Sequence, residues 1–213
     1  MIKGVIFDLD GVIVSTDEFH YRAWKRLADD EGIHFDRSIN ERLRGVGRLA
    51  SLDIILERST REYGAAQKAD LAERKNGYYR SLLADLTPGN VLPGARDLIA
   101  SLKARSVKVA IGSSSKNAPA ILKYIDMADC FDAVADGNCI SRSKPDPEIF
   151  LKAAGMLSLF ASNCLVVEDA EAGVMAAIAA GMRVLAVGTA ANSPNAHLRA
   201  TGLDAVSVQT IIG

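Results

Sequence analysis

Asp8 and Asp10 stand two residues apart where the apolar run Ile2–Phe7 ends, in the order Asp8-Leu9-Asp10-Gly11. Two carboxylates at that spacing repel each other unless a cation or a shared proton lies between them. A divalent metal meets that condition, and an ionised aspartate beside it could act as ligand and as nucleophile. A plain Asp-Gly turn accounts for the four residues equally well, so other positions must decide. Three further clusters bear on the choice. Ser113-Ser114-Ser115-Lys116-Asn117 places hydroxyls ahead of a helix start, which suits either an anion or a ligand-free serine N-cap. Ser143-Lys144-Pro145-Asp146-Pro147 places a lysine on constrained backbone, as a fixed cation or as a solvated loop charge. Glu168-Asp169 is a second acidic pair, which either completes a Mg²⁺ site or simply opens a helix.

Each cluster needs an element to hold it. Ile2–Phe7, Val107–Ile111, Cys164–Val167 and Arg183–Val187 are short apolar runs of the kind that form buried parallel strands, with Ala133–Ala135 a shorter candidate. Amphipathic helical patterns lie between them, around Ala95–Ala104, Ala118–Tyr124, Pro147–Ala154 and Ala172–Ala180. Strands alternating with helices predict an α/β fold, a doubly wound parallel sheet with helices on both faces. The stretch from about Thr16 to Leu86 breaks the alternation and offers helices only. Phe19, Ala23, Trp24, Leu27 and Ala28 share one helical face; Leu49, Leu52, Ile55 and Leu56 share another; Leu71, Tyr78, Leu82 and Leu83 mark a later helix. Thr87-Pro88-Gly89-Asn90 is a turn-rich joint back to the α/β pattern. The expectation is a core domain of residues 1–15 and 88–213 interrupted by an all-helical domain of residues 16–87, placed to act as a lid.

All four polar clusters follow predicted strands, and a doubly wound sheet gathers its ligands beyond the carboxyl ends of its strands. Together they suit phosphoryl transfer: an aspartate attacks phosphorus, a metal and a lysine offset the phosphoryl charge, and a second acid protonates the leaving oxygen. The rest of the composition is permissive. The 213 residues carry a net charge of −1, which argues against a general nucleic-acid binder. No apolar run reaches membrane-spanning length, and Asp8 and Asp10 interrupt any leader-like stretch. Cys130, Cys139 and Cys164 lack zinc-type spacing and read as reduced thiols, with Cys164 buried. A cytoplasmic protein acting as a monomer on small molecules is expected, with no nucleic-acid or membrane partner.

In this order the motifs resemble the haloacid-dehalogenase-like (HAD) superfamily over essentially the whole chain. Asp8-Leu9-Asp10-Gly11, Ser113, Lys144 and Glu168-Asp169 match its four motifs, and the helical insert matches its cap. The resemblance implies that Asp8 is the nucleophile that forms an aspartyl-phosphate. It implies that Asp10 is the general acid/base and a metal ligand through its carbonyl, that Asp8, Glu168 and Asp169 hold Mg²⁺, and that Ser113 and Lys144 hold the transferring phosphoryl group. A cis Lys144–Pro145 bond is implied as well.

Within the insert the chain is similar to the β-phosphoglucomutase family, on Thr16, His20-Tyr21-Arg22-Ala23-Trp24, Asn40 to Arg48 and Arg74-Lys75-Asn76. That likeness implies that Arg48, with Ser115, Lys116 and Asn117, holds the phosphate that is not transferring. Gly45, Val46 and Asp10 would contact the sugar, and Thr16, His20 and Lys75 would couple lid closure to placement of Asp10. Arginine makes bidentate phosphate contacts that lysine does not reproduce. Two departures stand out: Ser15 where relatives commonly carry Asp, and Gly47 where Ser is usual. The implied activity interconverts β-D-glucose 1-phosphate and glucose 6-phosphate with Mg²⁺, through a β-glucose 1,6-bisphosphate intermediate. A sugar-phosphate phosphatase shares Asp8, Asp10 and the metal but passes the phosphoryl group to water. A non-catalytic phosphosugar binder would gain little from a nucleophile repelled by its ligand.

Overall fold

A computed structural model of the protein describes residues 1–43 and 46–213. In chain order the elements are β1 (Gly4–Phe7), α1 (Asp17–Asp30), α2 (Arg37–Glu41), α3 (Arg48–Leu56), α4 (Ala65–Leu82), α5 (Ala95–Lys103), β2 (Lys108–Gly112), α6 (Ala118–Tyr124), β3 (Ala133–Ala135), α7 (Glu148–Met156), β4 (Cys164–Glu168), α8 (Glu171–Ala179), β5 (Arg183–Ala186), β6 (Leu198–Arg199) and α9 (Val208–Ile212). The chain divides into two compact units, Met1–Ser15 with Thr87–Gly213, and Thr16–Leu86.

The first unit is built on a parallel sheet in the order β3-β2-β1-β4-β5-β6. β1 forms because Val5, Ile6 and Phe7 are all fully buried, as a strand covered on both faces requires. Its register aligns Phe7 with Ile111 of β2 and with Val167 of β4, so the strands end level with one another. Ile6, Ala110, Val166 and Val184 pack in one cluster with Ile149 and Phe150 of α7 and Val174 and Ala177 of α8. The chain runs outward from β1 to β3 and then returns to the far side of β1, so α5 and α6 belong to the opposite face. The reversal falls between β1 and β4. That is the switch point, where a doubly wound sheet opens a crevice at its carboxyl edge.

The second unit is entirely helical among the described residues, as its pattern predicts. Trp24, Leu27 and Ala28 of α1, Leu52 and Ile55 of α3, and Leu71 and Ala72 of α4 form its core with Ile33, Phe35 and Ile39. α2 begins where the Asp36 carboxylate accepts from the Ile39 amide at 3.0 Å. Leu49 departs from expectation. It lies in the first turn of α3 and is 58% exposed, because Ser51, Leu52 and Ile55 take the inner face. The two-residue strand β6 and the five-residue helices α2 and α9 are also new; they are too short to show a period. Cys130, Cys139 and Cys164 are free thiols, the last buried. Among the described residues no helix is long and apolar enough to cross a membrane.

Candidate active site

The turn after β1 carries the first acidic pair. The Asp8 amide bonds the Val167 carbonyl at 2.9 Å, which extends the β1–β4 ladder by one step and fixes Asp8 at the switch point. Leu9 then accepts from the amides of Ile13 and Val14 at 2.9 and 3.1 Å, and Gly11 donates to Val14 at 2.8 Å. This tight loop holds Asp10. Gly11 has φ +81°, and a Cβ there would lie 2.1 Å from an Asp169 carboxylate oxygen. The position therefore needs glycine for both its conformation and its neighbour.

β4 delivers the second pair. Glu168 is its last residue and is 2% exposed. Gly173 of α8 makes room for it, since a Cβ at Gly173 would sit 2.1 Å from the Glu168 carboxyl carbon. Asp169 follows, and its carbonyl accepts from the Thr189 hydroxyl. Asp8, Glu168 and Asp169 each offer a carboxylate oxygen, all within 4.8 Å of one another.

Lys144 reaches into this group from the loop before α7. Its ammonium donates to Asp8 Oδ1 and, at 2.9 Å, to Glu168 Oε2, and its side chain is only 9% exposed. The Phe150 ring lies under it at 4.8 Å. The Lys144–Pro145 bond is cis, as expected. One carboxylate ties the loop down. Glu148 Oε2 accepts from the Ser141 amide and hydroxyl and the Arg142 amide at 3.0, 2.9 and 2.9 Å. Asp146 caps the helix start by accepting from the Glu148 amide at 3.0 Å.

Burial pushes the Glu168 carboxyl up to about 8; Asp8 and Asp169 push it the same way and Lys144 opposes them. Burial works to lower the Lys144 ammonium, but Asp8 and Glu168 together hold it above the usual lysine range. Three carboxylates clustered about one buried ammonium, with the Glu168 carboxyl pushed up, mark a site short of positive charge. Hard oxygen donors of this kind fit Mg²⁺ or a similar divalent ion.

β2 brings the serine cluster to the strand end beside Asp8. Ser113 is buried, and its amide bonds the Ala135 carbonyl of β3 at 3.1 Å. Its hydroxyl accepts from the Ser115 amide at 3.1 Å, and Ser115 Oγ accepts from the Asn117 amide at 3.2 Å. In that contact the Ser113 hydroxyl is the acceptor, so its proton remains available to donate to an anion. Asn138 buttresses the loop by donating to the Lys116 carbonyl at 3.2 Å, and Lys116 itself is exposed.

The expected residues of the helical unit form two connected groups. His20 Nδ1 lies 2.8 Å from the ammonium of Lys75, which is 3% exposed and also faces the Trp24 and Tyr79 rings at 4.6 and 4.8 Å. The His20 ring stacks on Tyr79 at 4.1 Å, and the Tyr79 hydroxyl donates to Thr16 Oγ1 at 3.0 Å. Burial, then Lys75 and Arg48, hold His20 well below the ordinary histidine range. A neutral imidazole accepting at Nδ1 carries its proton on Nε2. In the second group Arg48 donates to Asn76 Oδ1 at 3.0 Å and approaches Glu73 at 3.7 Å. Gly47 is the N-cap of α3, without a side-chain cap, and Ser51 Oγ bonds the Val46 carbonyl at 3.3 Å. Gly45 lies outside the described residues. Asn76, Tyr79, Glu148 and Phe150 are absent from the sequence-derived site; their partners are set by the fold.

The sequence profile of haloacid dehalogenase-like hydrolases matches residues 2–181. The chain belongs to that family. A β-phosphoglucomutase from Bacillus subtilis (strain 168) is 46% identical over 189 residues, 88% of this chain and 84% of that protein. A fructose-1-phosphate phosphatase from Escherichia coli (strain K12) is 34% identical over 84% of this chain and 93% of its own length. The crystal structure of a β-phosphoglucomutase from Clostridium difficile superposes with a TM-score of 0.91 at 39% identity, covering 99% of this chain and 96% of that one.

Proposed function

We propose that the protein is a Mg²⁺-dependent isomerase interconverting β-D-glucose 1-phosphate and glucose 6-phosphate. The observation that carries the chemistry is the set of carboxylate oxygens of Asp8, Glu168 and Asp169 within 4.8 Å of one another, with the Lys144 ammonium bonded to two of them. The likeness to the Bacillus subtilis enzyme supports the sugar and the reaction class.

Asp8, Glu168 and Asp169, with the Asp10 carbonyl, would hold the metal. When bound, it offsets negative charge on the phosphoryl oxygens. Asp8 attacks phosphorus and becomes the aspartyl-phosphate. Lys144 and Ser113 hold the transferring group by charge and by a donated hydrogen bond. Asp10 gives a proton to the leaving oxygen and takes one from the sugar hydroxyl that attacks next. The intermediate is β-glucose 1,6-bisphosphate, which must return in the opposite orientation. Residues 16–86 form the cap, with Val46 and Gly45 against the sugar. Arg48, Ser115, Lys116 and Asn117 bind the phosphate that is not transferring. Thr16, His20 and Lys75 tie closure to Asp10. The enzyme works as a monomer in the cytoplasm.

The alternative is a sugar-phosphate phosphatase; the 34% identity to the Escherichia coli phosphatase supports it less than the 46% identity to the Bacillus subtilis enzyme supports the isomerase. The test is formation of glucose 6-phosphate from β-glucose 1-phosphate with Mg²⁺ and catalytic bisphosphate. Formation that stops with EDTA supports the proposal; Mg²⁺-dependent phosphate release without isomer overturns it.

A further inference from the structure

Arg48 opens α3 and is half-buried, with 31% of its side chain exposed. α4 meets it with two residues one helical turn apart, Glu73 and Asn76. Their roles differ. Glu73 is 69% exposed and comes no nearer than 3.7 Å, so water screens it. Asn76 is 8% exposed, and its Oδ1 accepts from the guanidinium at 3.0 Å. An amide oxygen fixes one edge of the planar guanidinium and adds no opposing charge. A carboxylate at the same place would fix that edge equally well, but it would also neutralise the arginine.

We propose that Asn76 is a positioning residue that aims the Arg48 guanidinium while leaving its charge free for the non-transferring phosphate, and so sets the affinity for sugar phosphates. This rests on the reading of Arg48 as the anchor of that phosphate. The neighbouring cation of α4 serves another partner, since the Lys75 ammonium turns to His20. Asn76 Nδ2 also reaches Glu73 Oε1 at 3.5 Å, so its amide stands between the arginine and that carboxylate.

Asn76→Asp is the informative change, because it keeps shape and adds charge. A substrate phosphate would have to displace a half-buried ion pair, so KM for β-glucose 1-phosphate should rise about tenfold or more. Asn76→Ala loosens the arginine without neutralising it and should raise KM by a smaller factor. A purely structural asparagine predicts the reverse order, with the near-isosteric Asp tolerated and Ala damaging. It also predicts parallel losses in isomerisation and in Mg²⁺-dependent acetyl phosphate hydrolysis, whereas the proposal predicts a fall in the ratio of the two. KM would be measured for wild type, Asn76→Asp, Asn76→Ala, Arg48→Ala and Arg48→Ala with Asn76→Asp. In the double variant Asn76→Asp should add nothing to the effect of Arg48→Ala. If Arg48→Ala raises KM and Asn76→Asp is no worse than Asn76→Ala, the role given to Asn76 is wrong. If Arg48→Ala leaves KM unchanged, the anchor reading fails first, and this inference with it.

Discussion

Lys144 is bonded at once to Asp8, the proposed nucleophile, and to Glu168, a proposed metal ligand, so a change at one of these side chains bears on the others. Asp8→Asn replaces the attacking oxygen by a poor nucleophile. It should abolish isomerisation in a protein whose circular dichroism is unchanged. Asp10→Asn should retain bisphosphate and Mg²⁺ binding by calorimetry yet lose most of kcat; a change in affinity alone would give the acid/base role to another group. Arg48→Ala should lower isomerisation by orders of magnitude, about 3 kcal/mol or more in transition-state binding. Arg48→Lys should restore part of it. His20 gives a pH signature. Its folded pKa lies below its unfolded value, so its neutral form contributes stability above about pH 6.5 that is lost as pH falls toward the depressed value. Thermal unfolding from pH 8 down to pH 5 should show a decline in wild type that is shallower in His20→Asn. Equal slopes would mean that His20 does not titrate in this way.

Elements decide which of these residues meet. β1, β2, β4 and β5 are legible as apolar runs because a parallel strand is covered on both faces. Asp8 and Glu168-Asp169 are legible because each breaks such a run at its end. β6, with two residues, has no run to read. The supporting residues are hidden for a different reason. Asn76 meets Arg48 across 28 positions and Tyr79 meets Thr16 across 63, and no local period records either. Leu49 shows the converse error, an apolar residue on a helical stripe that the packing leaves in water. Glu148 is the element-scale prediction. It gathers the Ser141 and Arg142 amides at the start of α7 and thereby fixes the loop that carries Lys144. Glu148→Ala should cut kcat for isomerisation and for acetyl phosphate hydrolysis together, by about ten- to a hundredfold, through misplacement of Lys144. Glu148→Gln, which keeps an acceptor oxygen, should recover part of the loss. Unchanged kcat in Glu148→Ala would show that the loop holds itself.

At the scale of the whole molecule the chain leaves the sheet unit after Ser15 and re-enters it at Thr87. The departing and returning backbones run side by side, with Leu92 donating to the Ile13 carbonyl at 2.8 Å and Val14 bridged to Val91. One interruption of a doubly wound sheet thus adds a helical unit without disturbing the strand register that places Asp8 beside Glu168. Metal should stabilise the fold, because the carboxylate cluster it relieves exists only when that register is formed. Mg²⁺ at a hundred times its dissociation constant should add about 2.7 kcal/mol, seen as a higher melting temperature that EDTA reverses. In the proposed reaction the phosphoryl group on Asp8 passes to a sugar hydroxyl rather than to water. A ³¹P NMR time course with β-glucose 1-phosphate, Mg²⁺ and catalytic β-glucose 1,6-bisphosphate tests it directly. The glucose 6-phosphate resonance should grow as the substrate resonance fades, with inorganic phosphate far behind. Inorganic phosphate appearing as fast as the isomer would contradict it and make the protein a phosphatase.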